Sequence, residues 1–320
     1  MERQASVSYK GWMFRLAHLS DVHLGPLPDV TYRELVSKRM VGYVNWHRNR
    51  RRVLTEGVLG AIVADMQASQ PDHLAVTGDL VNLALDAEIE LARIWLETLG
   101  KPGDVSVVPG NHDAYVPGAF DKTCRVWGPW MTGDGASPPT DRKGFPYMRV
   151  RGQVALIGVS TARATAPFMA SGFFREDQSH RLGRMLDDAA KRGLFRVVML
   201  HHPPVRGAVP QHKRLFGIGT FQATMQKHGA ELVLHGHSHL PTLYWIGGRG
   251  RPVPVVGAAA AGQSPGDSKP AAQYNLLDIS GEVGAWAIRL TRRGLTGAAM
   301  PPSDLMSIDL TPEARLVERT

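Results

Sequence analysis

The sequence predicts an α/β fold: a four-layer αββα sandwich of two mixed β-sheets packed face to face and flanked by helices. Three observations predict it. Short apolar runs alternate with helical patterns through the first two thirds of the chain. The last third turns into several short strands with no helices between them. Hydrophobic residues make up 43% of the 320, enough for a large core and too many for disorder.

Taken in order, residues 14–20 (FRLAHLS) read as a buried strand running into Asp21. Residues 31–52 read as helical and strongly basic. Residues 52–68 read as an amphipathic helix with Val53, Val58, Ile62 and Met66 near one face, stopped by Pro71. Residues 73–77 form a second strand ending at Gly78-Asp79. Residues 86–99 form a helix closed by Gly100 and Pro102. Residues 104–108 form a third strand ending at Gly110-Asn111-His112-Asp113. Residues 127–145, rich in Gly, Pro and Asp, read as a long loop. Strands follow at 147–150 and 154–160, then a helix at 176–192. A strand at 196–200 ends at His201-His202-Pro203-Pro204. After a short helix at 221–228, a strand at 231–234 ends at His235-Gly236-His237-Ser238-His239. Strands at 243–246, 252–256, 274–279 and 285–290 complete the pattern. No repeat or low-complexity linker interrupts the chain. Residues 1–300 are therefore expected to form a single domain with a basic helical insertion at about 31–52, and 301–320 a polar surface tail.

Composition narrows the function. A single cysteine, Cys124, excludes an intrachain disulfide and a cysteine-based metal site, and is expected to be buried. Residues 1–10 are polar, and no window approaches the ~18 apolar residues of a membrane-spanning helix; a soluble, cytoplasmic protein is expected. The net charge of +8 favours anionic partners: phosphate esters, nucleic acid or an acidic membrane face.

The decisive feature is positional. Five predicted strands end in clusters of metal-ligand residue types: Asp21-Val22-His23, Gly78-Asp79, Gly110-Asn111-His112-Asp113, His201-His202 and Gly236-His237-Ser238-His239. Each alone reads equally well as a turn or a surface histidine. Five in succession, each after a β-like run, point to one cleft at the carboxyl ends of the strands. A two-metal site with ions ~3.5–4 Å apart needs a bridging carboxylate and a bridging hydroxide, with neutral imidazoles and an amide oxygen outside them. That donor set suits transition metals better than calcium and leaves a positive site for a phosphate ester.

With these motifs complete and in order from Asp21 to His239, the chain resembles the calcineurin-like metallophosphoesterases. Its Gly-Asn-His-Asp and His-His-Pro-Pro forms are most similar to the bacterial class III cyclic-nucleotide phosphodiesterase-like members. The resemblance implies a dinuclear phosphoesterase that hydrolyses phosphodiesters by attack of a metal-bridging hydroxide. It implies two divalent or mixed-valence transition-metal ions (Mn, Fe or Zn). Asp21, His23, Asp79 and His239 would hold one ion. Asp79, Asn111, His202 and His237 would hold the other, with Asp79 bridging. His202 is preferred to His201 because relatives commonly place this ligand directly before a proline-containing turn. His112 would act as general acid toward the leaving alkoxide, with Asp113 orienting its imidazole.

One departure stands out. The connection between the first two motifs carries an extra basic segment, 38–52, with Tyr43 and Trp46 interleaved. It reads either as a solvated helix with two aromatics turned inward or as a cap over the cleft that receives a larger anionic substrate, a membrane surface or nucleic acid. Alternative activities are a nucleotide-lipid pyrophosphatase of the UDP-diacylglucosamine type and a nuclease. A metal-free scaffold on the same fold is disfavoured by the complete ligand set. His18, His73, His180, His212 and His228 carry no motif and are expected to be structural or on the surface.

Overall fold

The structure is a computed structural model describing residues 12–35, 38–46, 56–266, 268–297 and 300–311. Two six-stranded sheets form the centre. In the first, β1 (Met13–Leu19), β2 (His73–Val76) and β3 (Val105–Val107) run parallel. Beyond β1 lie β12 (Gln273–Ser280), β13 (Ala287–Gly294) and β14 (Ser303–Asp309), all antiparallel to their neighbours, in the order β14-β13-β12-β1-β2-β3. In the second, β5 (Val154–Gly158), β7 (Phe195–Met199), β9 (Leu232–His235) and β11 (Pro252–Gly257) are parallel. Antiparallel β4 (Tyr147–Arg151) and β10 (Leu243–Gly247) close its edges. A short parallel pair, β6 (Gly172–Phe173) and β8 (Leu215–Phe216), stands apart.

Strand alternation divides the core. Phe195, Val197, Met199, Leu232 and Leu234 face inward and share one buried cluster with Leu16, Leu19, Val76 and Val107 of the first sheet. Their neighbours Val198, Leu200 and Val233 face the other way. There they pack against Leu182 and Leu186 of α6 (Glu176–Lys191) and Phe221 and Met225 of α7 (Ile218–His228). On the far side of the first sheet, α3 (Glu56–Ala68) buries Ile62 and Met66, and α4 (Asp86–Leu99) buries Ile89, Ala92 and Leu96. The order helix, sheet, sheet, helix is the αββα sandwich the sequence predicts.

Three elements differ from expectation. Helix α5 (Ala119–Trp127) has no counterpart in the predicted elements; Phe120, Thr123, Cys124 and Trp127 recur at helical spacing and form its buried stripe. The long loop at 127–145 contains two single-turn 3₁₀ helices, Gly128–Met131 and Arg142–Gly144. Within the tail expected at 301–320, Ser303–Asp309 is surface-exposed but pairs with β13 as an edge strand. The described part of the basic insertion forms α1 (Tyr32–Leu35) and α2 (Lys38–Asn45); its residues 36, 37 and 47–52 lie outside the described set. Among the described residues, no helix is long and apolar enough to cross a membrane.

Candidate metal centre

Every parallel strand of both sheets ends at the same edge, and the motif loops emerge there. The loops after β1 and β2 prolong the parallel pairing: Asp21, His23 and Leu24 donate their amides to the carbonyls of Gly78, Asp79 and Leu80. In the second sheet the Gly236 amide bonds the His201 carbonyl in the same way. The sheets are tied across the cleft by the His237 amide, which donates to Asp21 Oδ2 at 2.9 Å, and by His201 Nδ1, 2.6 Å from the Thr77 carbonyl. That closeness demands glycine at 236, where an added Cβ would lie 1.8 Å from Ser20 Oγ.

Backbone strain gathers at this edge. Eight described non-glycine residues have positive φ, and five of them are Asp21, His23, Asp79, His237 and His239. Left-handed conformations cost L-residues energy and persist where surrounding contacts fix them, often at functional sites.

Four overlapping groups bring ligand-type atoms within 4.8 Å of one another: Asp21, His23 and His239; Asp21, Asp79 and His201; His23, Asp79 and His112; His201, His202 and His237. Asp79 lies between the two halves, its Oδ2 3.8 Å from His23 Nε2 and 3.4 Å from His201 Nε2. Asn111 Oδ1 is 3.2 Å from His201 Nε2, and His239 Nε2 is 3.2 Å from Asp21 Oδ1. One nitrogen of each of four histidines sits against a backbone carbonyl: His23 Nδ1 on Val81, His112 Nδ1 on Asn82, His201 Nδ1 on Thr77 and His237 Nε2 on Lys213. Such contacts fix ring orientation and direct the other nitrogen toward a metal or substrate.

His202 is arranged differently. Its Nδ1 is 2.8 Å from the Thr161 hydroxyl and its Nε2 is 3.2 Å from the Ala170 carbonyl, so both nitrogens have partners. Asp113 is engaged by backbone amides. Its Oδ1 accepts the amides of Leu80 and Val81, and its Oδ2 those of Asp79 and Gly110. It therefore braces the two loops that carry Asp79 and Asn111, while the Asn82 carbonyl positions the His112 ring. The His112 amide donates to Asp79 Oδ1 at 2.7 Å, and its ring stacks on Tyr115 at 5.2 Å.

The electrostatics favour a cation. Burial works against charge on Asp79 and Asp21, yet the histidines hold both well below the usual carboxylate range, His201 foremost for Asp79 and His239 for Asp21. Burial likewise opposes charge on His201, but Asp79 and then Asp21 raise it to about 9. His202 and His237 are pushed down by burial and by neighbouring histidines, His202 to about 3. Burial, with Asp79 second, pushes Asp113 up to about 7 against the pull of its amide donors. Two buried carboxylates held ionised beside His202 and His237, whose imidazoles burial keeps neutral, fit divalent metal binding.

Two sheets joined at a metal-ligand cleft define a metallophosphoesterase-like architecture. The model of the calcineurin-like phosphoesterase family matches residues 14–241, and the chain belongs to that family. A Synechococcus sp. protein named probable cyclic nucleotide phosphodiesterase is 29% identical over 212 residues, covering 62% of this chain and 69% of that protein. Among solved structures, a dimetal phosphatase from Danio rerio aligns with TM-score 0.57 at 12% identity, covering 93% of this chain and 99% of its own. Purple acid phosphatase PPD1 from yellow lupin (Lupinus luteus) aligns with TM-score 0.55 at 13% identity, covering 94% of this chain and 54% of its own. The chain is thus a phosphoester hydrolase by family, and the family implies divalent metal ions.

Proposed function

We propose that this protein hydrolyses phosphodiesters at a dinuclear metal centre with Asp79 as the bridge. The observation that carries this reading is the position of Asp79 Oδ2 between His23 Nε2 and His201 Nε2. On one side Asp21, His23 and His239 complete a donor set; on the other Asn111, His201 and His237 do so. His201 takes the role expected of His202, because its Nε2 faces Asp79 and Asn111 while both His202 nitrogens are engaged elsewhere. When bound, the metals supply Lewis acidity to phosphoryl oxygens and lower the pKa of water.

The chain's own groups supply the rest. His112, fixed through Nδ1 on the Asn82 carbonyl, presents Nε2 at the cleft, where its protonated form can donate to the leaving alkoxide. Asp113 keeps the amide of His112 and the Asp79 carboxylate in register by tying their loops together. The similarity to the Synechococcus protein supports a diester substrate.

A second reading has its own support. A cavity of about 700 Å³ adjoins His23 and is walled by Leu24, Trp46, Leu59, Val63 and Trp95. An apolar pocket beside the reacting centre favours a phosphoester with an apolar moiety, such as a nucleotide lipid.

The test is hydrolysis of bis(p-nitrophenyl) phosphate against p-nitrophenyl phosphate, using metal-stripped protein with Mn, Zn or Fe restored. Metal-dependent cleavage that prefers the diester is expected. Protein that binds none of these metals and cleaves neither ester would overturn the reading and favour a scaffold.

A further inference from the structure

A second cavity, of about 600 Å³, lies between α5, α6, the 3₁₀ turn at Arg142–Gly144 and the loop that follows β5. None of the candidate metal ligands lines it. Five cationic side chains do (Arg142, Lys143, Arg163, Arg175 and Arg181) against three carboxylates (Asp121, Asp141 and Asp177). Two carboxylates are already engaged: Asp177 pairs with Arg181 at 3.1 Å, and Asp141 Oδ1 accepts the Lys143 amide. Arg142, Arg163 and Arg175 form no ion pair with a described residue. Instead they rest on aromatic faces, Arg142 over Phe120 at 4.7 Å and Arg163 and Arg175 over Phe173 at 5.5 and 5.7 Å.

Two further observations point to the same space. Both α5 and α6 begin at it, with Gly118 and Arg175 as their first flanking residues, and neither has a side-chain cap on its first amides. Helix N-termini carry partial positive charge and free N–H groups suited to phosphate. Ser160, which lines the cavity, is 3% exposed, and its Oγ has no hydrogen-bond partner among the described residues. A buried hydroxyl without a partner costs free energy that a bound group would recover. The wall is fixed, because Gln178 of α6 clasps both the amide and the carbonyl of Ser160.

We propose that this cavity binds a phosphate group of a nucleotide-sized ligand, outside the metal centre. Its volume suits a small molecule. Arg142 and Arg175 hold the phosphate with the α5 and α6 amides and Ser160 Oγ. The loop at 160–170 separates the two sites: Ser160, Ala162 and Arg163 face the cavity, while Thr161 and Ala170 contact His202. The phosphate belongs either to a distal part of the substrate or to a separate ligand.

The test is calorimetric titration of the full chain with pyrophosphate and with ADP. Because the proposal does not rest on the metal-centre reading, binding is also measured in Asp79→Asn protein. Binding that survives Asp79→Asn and weakens by about tenfold or more in Arg142→Gln/Arg175→Gln is expected. Bis(p-nitrophenyl) phosphate hydrolysis should be unchanged in the arginine variant, which also reports its folding. Ser160→Ala, a smaller change, should weaken binding by about threefold. No binding at millimolar concentration, or binding abolished by Asp79→Asn and indifferent to the arginines, would overturn the proposal. Given binding, pyrophosphate that competes only with diesters bearing a second phosphate assigns the site to the substrate. Pyrophosphate that competes with no diester assigns it to a separate ligand.

Discussion

The two sheets bring different chemistry to one cleft. The first delivers all the oxygen donors, Asp21, Asp79 and Asn111, with His23 and His112 beside them. The second delivers only imidazoles: His201, His202, His237 and His239. The bracing differs too. The oxygen-rich loops are tied by a buried carboxylate, Asp113, through four amides, whereas His201 and His237 rest on backbone carbonyls. On its own the first half gathers two carboxylates that disfavour each other's charge, and the second gathers imidazoles with no counter-charge. The difference teaches that the candidate site belongs to the sheet interface, since only packing one sheet on the other brings the two sets of side chains together.

The largest effect should come from the residue that joins the halves. Asp79→Asn is expected to lower kcat for a diester on the order of 1000-fold and to release bound metal. His201→Ala should also release metal, measured by elemental analysis, while His202→Ala retains it. The reverse ranking of the two histidines would return the ligand role to His202.

A smaller effect, on stability, should follow from the brace. Asp113→Asn turns an NH₂ group toward backbone N–H donors in a fully buried position. A loss of about 3 kcal/mol in urea unfolding is expected. Unaltered stability would mean that the first sheet's loops hold their shape without it.

The smallest separates acid sensitivity of the sheet itself from that of the cleft. His73 on β2 is buried, with Nε2 2.8 Å from Ser106 Oγ, and burial depresses it to about 3. An unfolded histidine titrates near 6.5, so as pH falls below that value the unfolded chain takes up a proton the folded one refuses. The contribution is intact above about pH 6.5 and is lost progressively toward about 3, on the order of 2 kcal/mol by pH 4.5. His73→Gln should narrow the gap between Tm at pH 7.5 and at pH 4.5. An equal gap in both proteins would place the acid sensitivity elsewhere.

Much of this was legible in the chain. Strand ends carrying Asp, Asn and His located the cleft, because parallel strands direct their following loops to one edge. The proposed role of His201 has its own signal in the sequence. Phe195, Val197 and Met199 face the inter-sheet core, and period-two alternation carries that face on to His201. The proline turn points instead to His202, and metal release from the two histidine variants decides between them. The part played by Asp113 was not legible, since a carboxylate next to a histidine reads as its orienting partner until the amides of a distant loop are seen to converge on it. The Arg142 and Arg175 cavity was equally hidden, its members being scattered over 118–181 with no motif among them.

By itself, then, the sequence determined the layered α/β architecture, the family and the loops that carry the site, because periodicity and motif order are local properties of the chain. Only the tertiary structure decided which groups the site histidines face, what Asp113 holds and where the cavity arginines gather. Those depend on which backbone groups and charges meet across two sheets, and no local pattern encodes that meeting.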